Sequence, residues 1–164
     1  VKKIQNYLLT HRIYLALILI LAIGFFVRTY HFADWLHYEF DQSRDNIIVS
    51  EAIKRGPLSL PLLGPKADGT QLRVGPIYFY FEYISALVFG DTPQGHAYFV
   101  AILSLASILV FYLLLRKFFN QTISLGLVYL YSISFFMVLY SRFGWNPNIL
   151  PFFVIAGIYS LLRA

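Results

Sequence analysis

The run HAYFVAILSLASILVFYLLL, residues 96–115, goes twenty positions without a Lys, Arg, Asp or Glu. A helix of about 20 mostly apolar residues matches the hydrocarbon thickness of a bilayer. Three further runs have the same character: IYLALILILAIGFFV at 13–27, TISLGLVYLYSISFFMVLY at 122–140 and NILPFFVIAGIYSLL at 148–162. Apolar residues make up 59% of the chain and charged residues 13%, against about 25% charged in a soluble domain. The chain is therefore expected to be all-α and polytopic. Spans are placed at 10–30, 96–115, 122–140 and 149–163, and the whole of 1–164 is assigned to one transmembrane domain. It begins at Val1 and stops inside an apolar run, so it is expected to be the N-terminal part of a longer protein.

A fifth apolar run, PIYFYFEYISALVFG at 76–90, is short, aromatic and carries Glu82 near its middle. That pattern fits an interfacial or re-entrant helix better than a span. Charge bias agrees. With 76–90 not crossing, Lys2, Lys3, Arg12, Arg116, Lys117 and Arg163 all fall on the cytoplasmic side, as the positive-inside rule requires. The loops 31–95 and 141–148 then face outward, and the N-terminus is cytoplasmic. The net charge of +5 comes from Lys and Arg at the ends of apolar runs, not from a basic groove with interleaved aromatics, so no nucleic-acid partner is expected. There is no cysteine, which excludes disulfides and thiolate metal sites.

An acidic cluster, YEFDQSRD at 38–45, lies in the first outward loop. Residues 42–55, QSRDNIIVSEAIKR, read as a short amphipathic helix ended by Gly56–Pro57. At 100° per residue Ile48, Val49 and Ala52 form the apolar side. Asp45 falls among them, with Asp41 one turn earlier on the same side. Arg44, Ser50, Glu51, Lys54 and Arg55 lie opposite. An ionisable group on an inward face has a partner or a task. Asp41 is expected to be a helix N-cap, a catalytic carboxylate, or both, and Asp45 to pair with a nearby arginine.

The order of elements resembles a known family. An apolar helix ends in Arg28, FDQSRD and NIIVSEAIKRG follow, then GPIYFYFEYISALVFGD, a basic LLRKFF and an outer YSRFGWNPNILPFF. This series is similar to the GT-C membrane glycosyltransferases, in the protein O-mannosyltransferase and aminoarabinose-transferase branch, and it covers nearly the whole chain. The resemblance implies a GT-C-like N-terminal module with juxtamembrane helices on the outer face. It implies transfer of a sugar from a polyprenyl-phosphate donor to an acceptor there. Asp41 matches the family's first-loop acidic position, normally Asp-Glu, with Gln42 as a departure, and Arg44 matches a basic position after it. SRFGWNPN matches the second outer loop, where relatives carry another acidic residue. Asn146 and Asn148 stand there instead, so a divalent metal is left open and unsupported by a second outer-loop carboxylate.

The chemistry fits the same picture. A polyprenyl phosphate is already a good leaving group, so one carboxylate acting as base on the acceptor suffices for an inverting single displacement. The pair of flanking carboxylates typical of a glycoside hydrolase is not required. The departing phosphate needs a cation, and Arg73 and Arg142 are the outer-side candidates, with Lys66 behind them. Asp41 is thus the candidate catalytic residue, and Arg44, Asp45, Arg73, Arg142 and Asn146 are candidate substrate-binding residues. The acceptor, whether lipid, glycan or protein, is not legible. A plasma-membrane location is expected, and a piece of this extent is expected to be inactive by itself.

Other residues receive plainer assignments. Arg28 is expected to be an interfacial anchor, and Glu82 likewise. His31, His37 and His96 flank helices in polar loops. Trp35 and Trp145 suit an aromatic belt or stacking on a sugar. The NQT at 120–122 falls in a cytoplasmic loop as a chance sequon. The rival functional class is a secondary transporter or lipid flippase that uses the acidic cluster. Transporters, however, set such charges near the midplane on broken helices, and these lie in a loop. A non-catalytic membrane scaffold would have no reason to turn Asp41 inward.

Overall fold

A computed structural model describes residues 2–66 and 69–164, with side chains from His11 onward. It is helical: α1 (Lys2–Thr29), α2 (Phe40–Arg55), α3 (Ile77–Phe89), α4 (Pro93–Leu115), α5 (Gln121–Ile133), α6 (Phe135–Ser141) and α7 (Leu150–Leu161), with 3₁₀ turns at Pro57–Ser59 and Asn146–Ile149. Among the described residues no strand forms; backbone bridges occur singly, between His37 and Phe143 and between Lys66 and Arg73. Two helices, His11–Thr29 and Pro93–Leu115, are long and apolar enough to cross a membrane. A third span is reached if the bent pair α5–α6 counts as one. The chain is an all-helical integral membrane protein.

The residues divide into two compact units. The first holds α1, the part of α4 from Ile102 on, α5, α6 and α7. Its core is Leu17 and Ile20 of α1, Ile108, Tyr112 and Leu115 of α4, and Val128 of α5. Without a hydrophobic drive between helices in lipid, close approach depends on small residues and interhelical hydrogen bonds. Gly24 supplies the first: a Cβ there would stand 2.7 Å from Ile108 Cδ1. Ser104 and Ser107, both buried, supply the second. Ser107 Oγ, for example, meets the Tyr131 hydroxyl at 2.8 Å.

The expected span at 122–140 is not one helix. It breaks at Ser134, which is extended at φ −55°, ψ 126°, and α5 and α6 meet at 52°. No Pro or Gly stands at the break. A side chain meets the backbone there instead: the Arg28 guanidinium donates to the Ser132 carbonyl, two residues before the break, at 2.8 Å. Arg28 also donates to Ser104 Oγ at 3.0 Å and to the Gly24 carbonyl at 3.1 Å. It is 1% exposed. Arg28 is therefore a buried cross-link in this unit, not the interfacial anchor its place at the end of α1 suggests. The last expected span, 149–163, forms a helix of 12 residues, shorter than a bilayer crossing needs.

The second unit comprises residues 31–101 and 142–148. Its α2 starts two residues earlier than the amphipathic pattern indicates. Gln42 Oε1 accepts the Glu39 N–H at 2.8 Å, so Glu39 holds the N-cap position and Asp41 sits in the first turn, where the helix dipole favours an acid. Lys54 and Arg55 close the last turn. Both α2 and α3 end on glycines in the left-handed region, Gly56 at φ 100° and Gly90 at φ 99°, and each glycine N–H caps the carbonyl four residues back. α2 packs on α3 through Val49, Ala52, Tyr78, Phe79 and Ala86, all nearly or fully buried. α3 has 13 residues and is apolar; it falls short of a spanning length, in keeping with a non-crossing helix.

Candidate functional site

The two segments assigned to the outer loops meet in the second unit. His37 N–H donates to the Arg142 carbonyl at 3.3 Å, and the Arg142 guanidinium donates to the His31 carbonyl at 3.3 Å. The same guanidinium lies over the rings of Trp35, at 5.3 Å, and Phe32, at 5.9 Å. It is 3% exposed, and burial lowers its pKa from the ordinary value. Gly144 allows the 142–148 segment its close seat: a Cβ there would come within 3.3 Å of Ala97 Cβ.

This seat carries Trp145 to the acidic cluster. Trp145 Nε1 donates to Asp41 Oδ2 at 3.2 Å, while Arg44 donates to Asp41 Oδ1 at 2.8 Å. The Trp145 ring stacks on Phe143 with centroids 5.5 Å apart. Arg44 turns its Nε to Asp45 Oδ1 at 2.9 Å and so bridges both aspartates. It does not lie on the face opposite to them as the helical wheel indicates; its long side chain reaches back along the helix. The aspartates themselves differ. The Asp45 side chain is 2% exposed and that of Asp41 43%. Burial raises the pKa of Asp45, opposed by the hydrogen bond from Arg44. Asp45 alone takes the inward position expected of both. Asp41 is fixed by two donors and open to an incoming group; a carboxylate offers about four lone-pair sites, so two are left.

Arg73 is held within its own segment. Its guanidinium donates to the Gly64 carbonyl at 3.2 Å, within a hairpin-like segment closed by Gly64 N–H to the Val74 carbonyl at 3.0 Å. Lys66 Nζ donates to Gln71 at 3.0 Å in the same segment. Asn146 opens the 3₁₀ turn after Trp145, beside the cluster in sequence. Asn148 Nδ2 is turned to the Phe143 carbonyl at 2.9 Å. Among the described residues no group of three or more His, Cys, Asp or Glu side chains is placed to hold a metal ion.

Beneath the cluster lies a polar network that the sequence did not disclose. Glu82 and His96 are 1% and 3% exposed, neither at an interface nor in a loop. His96 Nδ1 lies 2.8 Å from Glu82 Oε1, and its Nε2 lies 2.7 Å from Asp91 Oδ1. Ser50 of α2 donates to that same Asp91 oxygen at 2.5 Å. Asn46, with its amide nitrogen turned toward acceptors, donates to Glu82 Oε1 at 2.7 Å and accepts from the Tyr38 hydroxyl at 3.2 Å. Burial pushes the Glu82 carboxyl up to about 7 against the opposing pull of His96, and burial raises Tyr78 well above its ordinary value. The one available hint was Glu82 itself, an acid in mid-helix among aromatics.

The all-helical fold with its candidate membrane spans is that of a GT-C-like membrane module. Residues 73–164, more than half of the chain, match the model of the dolichyl-phosphate-mannose-protein mannosyltransferase family, and the chain belongs to that family. The matched region includes Glu82, Asp91, His96, Arg142 and Trp145; α2, with Asp41, precedes it. Comparison with curated proteins and with solved structures finds no match.

Proposed function

We propose that the chain serves transfer of a mannose-like sugar from a polyprenyl-phosphate donor to an acceptor hydroxyl at the outer membrane face, by one inverting displacement. The acceptor oxygen attacks the anomeric carbon, the bond from that carbon to the phosphate oxygen breaks, and Asp41 takes the acceptor proton. The observation that carries this reading is the Asp41 carboxylate, held by Arg44 and Trp145 and open on its remaining side. Membership of the mannosyltransferase family supplies the donor class. For the phosphate, Arg73 is preferred over Arg142, because Arg142 is shut between rings whereas Arg73 is exposed. Asp45 serves Arg44 as a buried counter-charge, and Asn146 lies next to Trp145 to meet the substrate.

The direct test supplies polyprenyl-phosphate-mannose and a hydroxyl acceptor to the full-length protein in vesicles, and reads the anomeric configuration of the product. Inversion is expected; retention would remove the single displacement. Trp145→Phe keeps the ring stack on Phe143 and deletes the N–H on Asp41. Transfer is expected to fall about tenfold, the scale of one orienting hydrogen bond, with thermal stability nearly unchanged. Equal turnover by the two proteins would detach Trp145 from the chemistry. The placement of the faces has its own check. Cysteines introduced at Ser59 and Gln94 should react with an impermeant thiol reagent from outside intact cells, and one at Gln121 should not. The reverse labelling pattern inverts the topology.

A further inference from the structure

The buried network on α2, α3 and α4 has a proton requirement that its geometry fixes. Both nitrogens of His96 face carboxylate oxygens, Glu82 at 2.8 Å and Asp91 at 2.7 Å. A neutral imidazole has one N–H and one lone pair. Two carboxylates are therefore satisfied only while one further proton is held, either on the second ring nitrogen or on Glu82. If that proton leaves, one carboxylate must face a lone pair. Glu82 is 1% exposed and cannot rehydrate, whereas the Asp91 side chain is 38% exposed. The remaining N–H stays on Glu82, and the Asp91 contact opens. Asp91 is also the anchor of α2, through Ser50.

We infer that Glu82, His96 and Asp91 are positioning residues for transfer: a one-proton clamp that fixes α2, and with it Asp41, while the proton is held, and frees the Ser50 end of α2 when it is lost. The positioning role rests on the assignment of Asp41 given above; the clamp itself does not. The charged and titratable groups that bear on it come from every packed element. Asp45 and Arg44 of α2 act on Glu82 and on Tyr78 of α3, and Lys54 of α2 acts on Asp91. The buried carboxyl of Glu82, raised to about 7, puts the release as the pH rises through neutrality. A raised acid keeps its proton in the fold where the unfolded chain has already lost it, so the closed clamp belongs to the acid side.

Two variants remove the proton requirement without removing the hydrogen bonds. In Glu82→Gln the new amide donates to Nδ1, Asn46 turns its amide oxygen to accept the second N–H, and Nε2–H serves Asp91. In Asp91→Asn the new amide nitrogen stands where Oδ1 stood and donates one N–H to Nε2 and the other to Ser50 Oγ, while Nδ1–H serves Glu82. Backbone amide exchange of residues 46–55, referenced to intrinsic rates, is measured in detergent micelles at pH 6 and pH 8.5. The native chain is expected to lose about tenfold in protection at the higher pH, the scale of one lost hydrogen bond. Both variants are expected to hold their protection at both pH values; Asp91→Asn, at an exposed site, covers the case in which Glu82→Gln does not fold. Flat protection in the native chain, or a variant that keeps the pH step, overturns the clamp. The pH profile of transfer is the second arm. An alkaline loss of kcat that disappears in the variants supports positioning, and a loss that all three proteins share overturns it. Transfer by the full-length protein absent at every pH, with the exchange step intact, refutes the proposed transfer and not the clamp.

Discussion

Asp41→Asn is expected to lower sugar transfer by about a hundredfold or more, the usual scale for loss of a general base, while the protein inserts and folds as before. The substitution keeps the shape of the side chain and leaves one oxygen to accept from Trp145 or Arg44. It removes the negative charge and nearly all basicity. Asp41 does not cap α2, because Glu39 holds that place, so no cap is lost. Arg44 keeps Asp45 as a partner at 2.9 Å, so no guanidinium is stranded. A fall in transfer can therefore be read as lost chemistry. The measurement is single-turnover transfer from polyprenyl-phosphate-mannose, beside a thermal melt in the same detergent. Near-native turnover by a folded Asp41→Asn protein would pass the role to another group, with Asp45 the next to test.

The largest expected effect on stability is at Arg28. Its guanidinium ties α1 to α4 through Ser104 and to the α5–α6 break through the Ser132 carbonyl. Arg28→Ala leaves that carbonyl and the Ser104 hydroxyl without these donors in a buried, apolar place. Hydrogen bonds to charged groups contribute about 1.5–3 kcal/mol each, and a stranded buried polar group costs about 1–3 kcal/mol. A loss of about 3 kcal/mol or more is expected, with the α5–α6 bend relaxing toward a straight helix. Ser104→Ala removes one partner of Arg28 and should cost about 1 kcal/mol. Equilibrium unfolding in mixed micelles compares the two. If Arg28→Ala is no more damaging than Ser104→Ala, Arg28 does not hold the break.

The general character of this protein lies in its one-dimensional pattern. Runs such as 96–115 are too long and too apolar for water, so helix and membrane follow from hydropathy alone. The stop of α2 is equally local, since Gly56 and Pro57 end a helix by their own backbone geometry. The alternation of side chains around α2 put Asp45 inward correctly, because 100° per residue is a property of the helix and not of its surroundings. The wheel departs from the structure at two residues: Asp41, in the first turn, stays half-exposed, and the long side chain of Arg44 bends back to reach Asp41 and Asp45, a reach no residue-level angle records. The start of the helix, at Phe40, depends likewise on a side chain's reach. Gln42 looks like a mere departure from an acidic pair until its side chain is seen to meet the Glu39 N–H.

What the sequence could not supply was the identity of partners distant along the chain. Arg28 and Ser132, Asp41 and Trp145, and Ser50 and Asp91 are brought together by packing, and nothing local marks one as the complement of the other. An arginine at a helix end reads as an anchor until a carbonyl beside a break elsewhere claims it. A glutamate in an aromatic helix reads as interfacial until a histidine from the next helix covers it. Length, hydropathy and turn chemistry acted within a few residues and so determined helices, membrane and polar loops. Burial of charge is settled only when every neighbour is in place, and the tertiary structure alone decided which carboxylate stays open and which is shut in.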